Sequence, residues 1–494
     1  MIPGVTYESW ARVRIRFDKP RNSRWPILAV LLALIAALFA PGIASAQPGR
    51  TYIIATDVTF APFEFEDENG NLTGIDMELI RAIAKDQGFN VEIKQLGFDA
   101  ALQAVQAGQA DGVIAGMSIT DARKQVFDFS DPYFESGVQM AVLETNNDVK
   151  SYEDLKGKRV AVKNGTEGAS FAESIKDQYG FTTVYFADSA SMYDEVRTGN
   201  SVAVFDDYPV LAYGITQGNG LKTVTEKEAG ASYGFAVNKG QNAELLEMFN
   251  AGLQNLRDSG EYDDILSQFL GQGATSSDNS IIGLIKSTYP QLLKGLWLTI
   301  VLSVVSIAIA LVLGAIFGLC RVSTHIVVRG IGTAYVDIFR GTPLLVQAFF
   351  IYFGIPAALH FQMSAFTAGV ITLSLNAGAY MAEIVRGGIL AVDKGQMEAS
   401  RSLGISYMKT MRKVIMPQAI RTMIPSYINQ FVITLKDTSI LSVIGLAELT
   451  QTGRIIIARN FQSFNMWLIV GAMYFIIIMA LTKFSNRLEK RINK

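Results

Sequence analysis

The segment Gly395-Gln396-Met397-Glu398-Ala399-Ser400-Arg401-Ser402-Leu403-Gly404 lies in a basic stretch between two long apolar runs of the sequence. Residues 397–403 are predicted to form a short helix with small residues on one side, stopped near Gly404. Pro417 opens the next apolar run, where its missing N–H costs nothing. A short helix that lies between two membrane spans can insert into a groove on a partner protein, and a simple basic loop is the alternative.

Apolar runs of bilayer-spanning length surround this segment. Five spans are predicted, at about residues 293–319, 333–357, 364–385, 418–444 and 464–484. Lys and Arg favour the cytoplasmic side of a membrane. They are concentrated in the segments 320–332, 386–417 and 483–494, at Arg321, Arg329, Arg386, Lys394, Arg401, Lys409, Arg412, Lys413, Lys483, Arg487, Lys490, Arg491 and Lys494. The opposite segments carry Arg454 and Arg459, so the residues before the first span are expected outside the cytoplasm.

Two charged residues, Lys436 and Asp437, fall within the fourth predicted span, beside Thr438 and Ser439. An unpaired charge at that depth costs a few kcal/mol. Three explanations are open: the two charges form a satisfied pair, the helix breaks there, or the charges contribute to a substrate path.

Segment 395–404 resembles the ATPase-coupling loop of ABC importer permeases, whose signature is Glu-Ala-Ala followed by Gly and then Pro. Ser400 stands where the signature has its second Ala. Residues 339–347 (FRGTPLLVQ) and 379–388 (AYMAEIVRGG) resemble the polar-amino-acid branch of these permeases, and the whole resemblance covers about residues 285–490. It implies that Glu398, Ala399, Ser400 and Gly404 couple the chain to an ATPase.

The ATPase itself is expected on another polypeptide. A phosphate-binding loop of the form Gly-x-x-x-x-Gly-Lys-Ser/Thr does not occur in the sequence, and the single Gly-Lys pair, Gly157-Lys158, precedes Arg159. The resemblance therefore implies a cytoplasmic ABC ATPase dimer that holds the ATP and magnesium, while this chain is neither an enzyme nor a cofactor carrier. Five spans are too few for one importer pore, which implies a homodimer of this chain or a pair with a close relative.

Residues 51–272 alternate strand-like and helix-like patterns. Strands separated by helices imply parallel sheets with helices on both faces, and a length of this kind fits two α/β lobes better than one. Chain crossings between the lobes are expected near residues 137–141 and 233–237. A polar linker, residues 273–284, is predicted to join this unit to a membrane domain of residues 285–494.

Several polar residues after predicted strands have the chemistry to bind a free amino acid. Arg123 can offer a bidentate fork to a carboxylate, and N–H groups near Gly116 and Ser118 can add donors at a helix start. Asp206 and Asp207 end a predicted strand with two carboxylates that suit an ammonium group. Taken alone, each residue also has an ordinary explanation, such as a surface ion pair for Arg123.

The joint order of these residues resembles the periplasmic amino-acid-binding proteins, above all the glutamine receptor type, over residues 51–272. The resemblance implies that Arg123 clamps the ligand carboxylate and that Asp207 accepts from the ammonium. The other implied ligand-binding residues are the donors Gly116 and Ser118, the stacking pair Phe60 and Phe98, the pair Asp57 and Lys163 at the distal end of the ligand, and Thr166.

Lys163 argues against arginine or lysine as the ligand, because a cation would face a cation. Asp206 stands where the glutamine receptor type has His, and Glu167 adds an acidic residue that can retune the pocket. Glutamine is the expected ligand, with glutamate or asparagine close behind and a basic amino acid as the alternative.

The expected architecture is an α/β bilobed receptor domain, residues 47–272, followed by an all-α transmembrane permease domain in contact with membrane lipid. The implied function is ATP-driven import of a polar amino acid. A glutamate-receptor-like ligand-gated channel uses the same bilobed module but inserts its pore between the lobe segments. Here every predicted span follows the complete module, which disfavours a channel.

Residues 1–46 are predicted to be an export signal with an amino-terminal extension. Arg21 and Arg24 precede the apolar segment 27–40, and Ala44-Ser45-Ala46 has the small-x-small cleavage pattern. An uncleaved anchor helix is the alternative, and both place the chain in the bacterial cytoplasmic (inner) membrane. A formal net charge of −2 gives no reason to expect nucleic acid, and one cysteine with two histidines gives no metal cluster or disulfide.

Overall fold

The computed structural model describes residues 49–67, 69–270, 281–359 and 361–492. The predicted export signal, residues 1–46, lies outside these residues, as does most of the predicted linker. The first helix of the membrane domain begins at Ile281, so residues 281–284 are helical instead of part of the linker. Residues 49–270 are here called the two-lobed domain, and residues 281–492 the helical domain.

Lobe 1 is built around a five-stranded sheet of order β5-β1-β6-β14-β7. Strand β1 pairs in parallel with β5 and β6, whereas β14, which returns from far along the chain, pairs antiparallel with β6 and β7. The elements of lobe 1 are β1 (Thr51–Asp57), β2 (Thr59–Phe60), β3 (Glu64–Glu66), β4 (Leu72–Thr73), α1 (Ile75–Gln87), β5 (Asn90–Leu96), α2 (Phe98–Gln106), β6 (Gly112–Val113), α3 (Asp121–Lys124), β7 (Phe127–Phe129), β14 (Ala236–Asn238), α7 (Ala243–Ser259) and α8 (Glu261–Leu270).

Lobe 2 has a sheet of order β10-β9-β11-β8-β12, with β13 also paired to β8. Its strands β9, β10 and β11 are parallel, and β8 runs antiparallel to β11. The elements of lobe 2 are β8 (Gly137–Leu143), β9 (Arg159–Lys163), α4 (Glu167–Tyr179), β10 (Thr182–Phe186), α5 (Ser189–Arg197), β11 (Ala203–Asp207), α6 (Tyr208–Thr216), β12 (Leu221–Thr223) and β13 (Glu228–Ala229), with a 3-10 turn at Tyr152–Leu155.

The chain crosses between the lobes twice, where the sequence predicted. The first crossing enters β8 at Gly137, and the second leaves β13 at Ala229 and enters β14 at Ala236. Tyr233 lies in the second crossing and forms bridges with both Ser118 and Phe134. Two neighbouring crossing strands are the arrangement that allows two lobes to move about a hinge.

The helical domain holds three helices that are long and apolar enough to cross a membrane: α9 (Ile281–Arg321), α13 (Ala365–Leu390) and the Ser463–Phe484 part of α18 (Ser463–Ile492). Two bent helix pairs, at 326–359 with a bend of 104° and at 407–460 with a bend of 49°, raise the number to five if each is one span. The five predicted spans coincide with these elements. The remaining helices are α10 (Ile326–Gly341), α11 (Leu344–Phe349), α12 (Ile355–Leu359), α14 (Lys394–Ser402), α15 (Tyr407–Thr410), α16 (Met416–Asp437) and α17 (Leu449–Asn460).

The charged residues of the fourth predicted span mark the end of a helix. Helix α16 stops at Asp437, and a 3-10 segment, Thr438–Ile444, continues to Gly445 in the left-handed conformation. Among the ion pairs that the described side chains form, none joins Lys436 to Asp437, as expected for neighbours that do not face each other on a helix. The α-helix therefore ends at the two charges, but the chain continues in the 3-10 segment and bends only after Ile444, and of the three explanations the structure disfavours the satisfied pair.

Both lobes pack against the helical domain. In lobe 1 the buried Gln109 side chain donates to Phe361 O at 2.7 Å and accepts from Met363 N–H at 2.9 Å, and Arg459 donates to Asp67 O. In lobe 2 Arg197 donates to the carbonyl oxygen of Phe461. Arg459 and Phe461 are two residues apart at the end of α17, so one short segment contacts both lobes.

Phe461 adopts a left-handed backbone conformation, φ 55°, although it is a bulky residue. Such conformations cost about 1–3 kcal/mol and persist where the surroundings enforce them. Here the Phe461 ring is buried with the lobe 2 core and lies 6.1 Å from the Tyr193 ring.

Candidate functional site

A narrow pocket with a volume of about 10 Å³ lies between the two lobes. Lobe 1 contributes residues from the start of α2, from β2 and from the loop before α3, while lobe 2 contributes the turn after β9 and the end of β11. The residues that line the pocket are Phe60, Phe98, Ala115, Gly116, Ser118, Arg123, Lys163, Thr166, Glu167 and Asp207.

The structure brings the ligand residues predicted from the sequence into one place. All of them line this pocket except Asp57, which lies directly behind Lys163. The pocket also contains Ala115, which was not predicted, and Glu167, which was predicted to retune the pocket without being among the predicted ligand residues. Glu167 is the first residue of α4, directly after Thr166.

Lys163 of lobe 2 and Asp57 of lobe 1 form a buried ion pair across the cleft. The Lys163 Nζ to Asp57 Oδ2 distance is 2.6 Å, and both side chains are 2% exposed. Nζ also lies 4.9 Å from the centroid of the Phe60 ring and 5.7 Å from that of Phe98. Burial lowers the pKa of Lys163, but the Asp57 carboxylate outweighs it and the net pKa is raised. The ammonium group therefore stays charged, and Asp57 matches its charge.

Arg123 also spans the cleft from lobe 1. It lies in the short helix α3, where its own backbone N–H donates to the capping Thr120 hydroxyl at 3.3 Å. Its Nη1 donates to Ser118 O at 2.7 Å and its Nη2 donates to Gly165 O of lobe 2 at 2.5 Å. The guanidinium carbon lies 5.4 Å from the Phe98 ring centroid. The ring and the two carbonyl groups hold the guanidinium at the wall of the pocket.

The two neighbouring aspartates at the end of β11 lie in different environments, because successive residues of a strand point to opposite faces of the sheet. Asp207 lines the pocket and accepts a hydrogen bond from the Tyr233 hydroxyl. Asp206 does not line it, and its carboxylate instead accepts from Tyr193 Oη at 2.6 Å and from the Asp207 N–H at 2.9 Å. Of the two carboxylates that suit an ammonium group, only Asp207, the one that the resemblance implies, lines the pocket.

Two further predicted residues have their polar groups in hydrogen bonds within their own lobes. The Gly116 N–H donates to Asp76 Oδ2 at 2.8 Å, so it does not serve as a donor in the pocket, contrary to the prediction. The Thr166 hydroxyl accepts from the Ala169 N–H as the cap of α4 and donates to Lys163 O at 2.8 Å. Thr166 therefore shapes the turn that presents Lys163 to the pocket.

Asp207 is a titratable group in the wall of the pocket. Burial, followed by the charge of Asp206, raises the pKa of Asp207 to about 7. A ligand ammonium at this position would pair with the ionised carboxylate, so below this pKa a proton would have to leave when the ligand binds. We expect affinity for a zwitterionic amino acid to fall by up to about tenfold for each pH unit below pH 7.

Calorimetry of the purified chain between pH 5 and pH 8 measures this dependence. Asp207→Asn removes the titrating group and is expected to bind more weakly with a flat profile over the same range. A parent profile as flat as that of the variant would contradict the assignment of Asp207 to the ammonium.

A second candidate site lies on the loop between α13 and α16. Helix α14 begins with Asp393, whose Oδ1 accepts from the Gly395 N–H at 2.7 Å, and ends before Gly404, which has φ 77°. Glu398, Ala399 and Gly404 are exposed, whereas Ser400 is buried. Leu403 is 80% exposed at the end of the helix. The predicted short helix is confirmed, and Glu398, Ala399, Leu403 and Gly404 form an exposed surface at its end.

Two family models match the chain, one for each half. Residues 52–272 match the bacterial extracellular solute-binding proteins, family 3, and residues 310–494 match the inner membrane component of binding-protein-dependent transport systems. The glutamine transport system permease protein GlnP of Escherichia coli is 42% identical over 204 residues, which cover 41% of this chain and 93% of that protein. The chain belongs to the amino acid ABC transporters. It carries a receptor domain and a permease domain in one polypeptide and is a multi-pass protein of the inner membrane.

Other relatives match one half of this transporter each. The arginine transport system permease protein ArtQ of Bacillus subtilis is 37% identical over 203 residues, 41% of this chain and 93% of that protein. The crystal structure of substrate binding domain 2 of Lactococcus lactis GlnP, in an open conformation, has 46% identity with a TM-score of 0.37 and covers 47% of this chain and all of that chain.

Proposed function

We propose that this transporter imports a polar amino acid, glutamine ahead of glutamate or asparagine, with energy from ATP hydrolysed on a separate subunit. The observation that carries the proposal is that Arg123 and Asp207 line the same interlobe pocket. A guanidinium fork suits an α-carboxylate, and a buried carboxylate suits an α-ammonium. The two groups that every free amino acid shares thus have a complementary partner each.

The ion pair at the other side of the pocket supports a neutral, amide-bearing side chain. Asp57 and Lys163 together carry no net charge, and Lys163 presents a donor at the pocket wall while Asp57 lies behind it. An amide is neutral, and its carbonyl oxygen accepts hydrogen bonds. Glutamine therefore matches the pair in charge and can accept from Lys163.

A basic amino acid is the second candidate, and two observations favour it. The charge of Lys163 is matched by Asp57, so a ligand cation would not meet an unpaired cation, and Glu167 adds a second pocket carboxylate beside Asp207. One of the relatives is named as an arginine permease. The same geometry is therefore compatible with a cationic side chain that approaches Glu167.

Binding calorimetry of the purified transporter against a panel of amino acids distinguishes these candidates. We expect glutamine to bind most tightly, and tight binding of arginine by the parent protein would overturn the glutamine assignment. Lys163→Ala removes a charged hydrogen-bond donor, which is worth about 1.5–3 kcal/mol. The variant is expected to lose more affinity for glutamine and glutamate than for alanine.

Lys239→Ala is the matched control for this variant, because Lys239 also forms a 2.6 Å ion pair, with Asp128, but on the exposed surface of lobe 1. Its affinities for all ligands are expected to equal those of the parent. Equal losses for glutamine and alanine in Lys163→Ala would remove Lys163 from the recognition of the ligand side chain.

The energy source and the assembly complete the proposal. A cytoplasmic ATPase dimer docks on α14 through the exposed Glu398, Ala399 and Gly404, with the buried Ser400 packing α14 onto the permease. Two copies of this chain form the pore, since five spans are few for a complete importer. The receptor domain lies outside the cytoplasm, as the distribution of Lys and Arg favours.

A further inference from the structure

Two carboxyl groups that belong to none of the roles above are buried in lobe 1. Glu64 of β3 and Asp76 of α1 are both 0% exposed. They are close enough for the charge of Asp76 to raise the pKa of Glu64. Carboxyl groups are almost never fully buried unless they are paired, so these two call for an explanation.

Asp76 connects this pair to the pocket wall. Its Oδ2 accepts from the Gly116 N–H at 2.8 Å and from Tyr133 Oη at 2.9 Å. Ala115 and Gly116 both line the pocket. Gly116 has φ 51°, and a β-carbon added to it would lie 2.4 Å from Cε1 of Phe60. The Phe60 ring of the pocket therefore packs directly against the Gly116 backbone.

Neither carboxyl oxygen of Glu64 accepts a hydrogen bond from a donor in the described part of the chain. Two adjacent buried carboxylates cannot both be ionised, and they share a proton instead. Burial raises the pKa of Asp76 to about 6, and burial with the neighbouring Asp76 and Asp57 raises that of Glu64 well above its usual range. The other titratable groups that face the pair are Lys163 and Tyr133.

We propose that Glu64 retains a proton and donates it in a hydrogen bond to Asp76, and that this pair fixes the peptide unit at Gly116 in the pocket wall. Glu64 and Asp76 are then positioning residues, because they act on the ligand through Gly116 and Phe60. The proposal rests on the proposed function in one respect, that the interlobe pocket is the amino acid site.

Two substitutions separate the hydrogen bond from the charge. Glu64→Gln keeps a donor for Asp76, and Glu64→Leu keeps a similar volume without a donor. Both leave the pair with the single charge of Asp76, as in the proposed parent state. We expect the full-length Gln variant to bind glutamine within about threefold of the parent and the Leu variant about tenfold or more weakly, since a hydrogen bond to a charged group is lost.

Infrared spectroscopy supplies a readout that a purely structural role would not change. At pH 8, where Asp207 is largely ionised, the difference spectrum between the parent and the Gln variant is expected to show the carbonyl stretch of a buried protonated carboxyl group that only the parent has. Absence of that band in the parent would overturn the shared proton. Equal glutamine affinity of the Leu and Gln variants would overturn the positioning role.

The infrared result does not depend on any ligand. If the parent binds no amino acid but shows the band, then the proposed function fails while the shared proton stands. If the parent binds glutamine but lacks the band, then the inference about Glu64 fails while the proposed function stands.

Discussion

Replacement of Arg123 by alanine is expected to abolish measurable amino acid binding. The Arg123 guanidinium contacts Ser118 O, Gly165 O and the Phe98 ring at the pocket wall. Without it, a ligand carboxylate enters a cleft that has lost its planar cation. Truncation of one partner of a buried, hydrogen-bonded charge pair costs about 2–5 kcal/mol, which corresponds to a loss of affinity on the order of thirtyfold to several thousandfold. Calorimetry with glutamine measures the loss.

Arg257→Ala is a close control for Arg123→Ala. Arg257 also donates to a carbonyl oxygen, Pro132 O at 2.8 Å, and also lies over an aromatic ring, 5.1 Å from the centroid of Tyr262, but outside the pocket. It is expected to leave affinity unchanged. Arg123→Lys keeps the charge without the fork, so we expect an intermediate affinity. Parent affinity in Arg123→Ala would exclude this residue from the site.

Replacement of Gly404 by tryptophan is expected to reduce transport at least tenfold without change in ligand binding. Gly404 follows the exposed helix α14 in a left-handed conformation, φ 77°, and a β-carbon there would meet nothing within 4 Å. The substitution places a large ring on the proposed docking face and adds about 1–2 kcal/mol of backbone strain. Transport in proteoliposomes with the cognate ATPase, alongside calorimetry with glutamine, measures both properties.

Gly404→Asn controls for the backbone conformation, because asparagine tolerates the left-handed region better than other residues and is small. It is expected to transport close to the parent rate. Normal transport by Gly404→Trp would show that α14 does not carry the coupling. Loss of glutamine binding in the same variant would show instead that the substitution disrupts the protein as a whole.

The order of strands and helices was predictable because local patterns determine it. Ile75, Leu79, Ile80 and Ile83 recur at a spacing typical of one helix face, and all four side chains are buried on α1. The lobe crossings near Gly137 and Tyr233 were also placed correctly. The resemblance to amino-acid-binding proteins predicted the residues of the pocket, because it rested on motifs from several loops taken together.

The orientation of individual groups was not predictable from the same patterns. Asp206 and Asp207 are adjacent, and only the strand position shows that Asp206 faces Tyr193 and Asp207 faces the pocket. The Gly116 N–H turns toward Asp76, a residue 40 positions earlier in the chain. Hydrogen bonds across such sequence distances depend on tertiary packing, which a motif in one loop does not encode.

The contact of one segment of the permease, Arg459 to Phe461, with both lobes has a thermodynamic consequence. If the lobes separate while the receptor stays on the permease, at least one of the two contacts must break. A ligand that favours lobe closure therefore also favours docking of the receptor domain on the permease. This docking strengthens ligand binding by the same factor, because the coupling free energy between two binding events is reciprocal. The affinity of the receptor domain cut from its permease is then a different quantity from the affinity of the whole chain. The two binding free energies differ by the amount by which lobe closure stabilises the contact between the receptor domain and the permease.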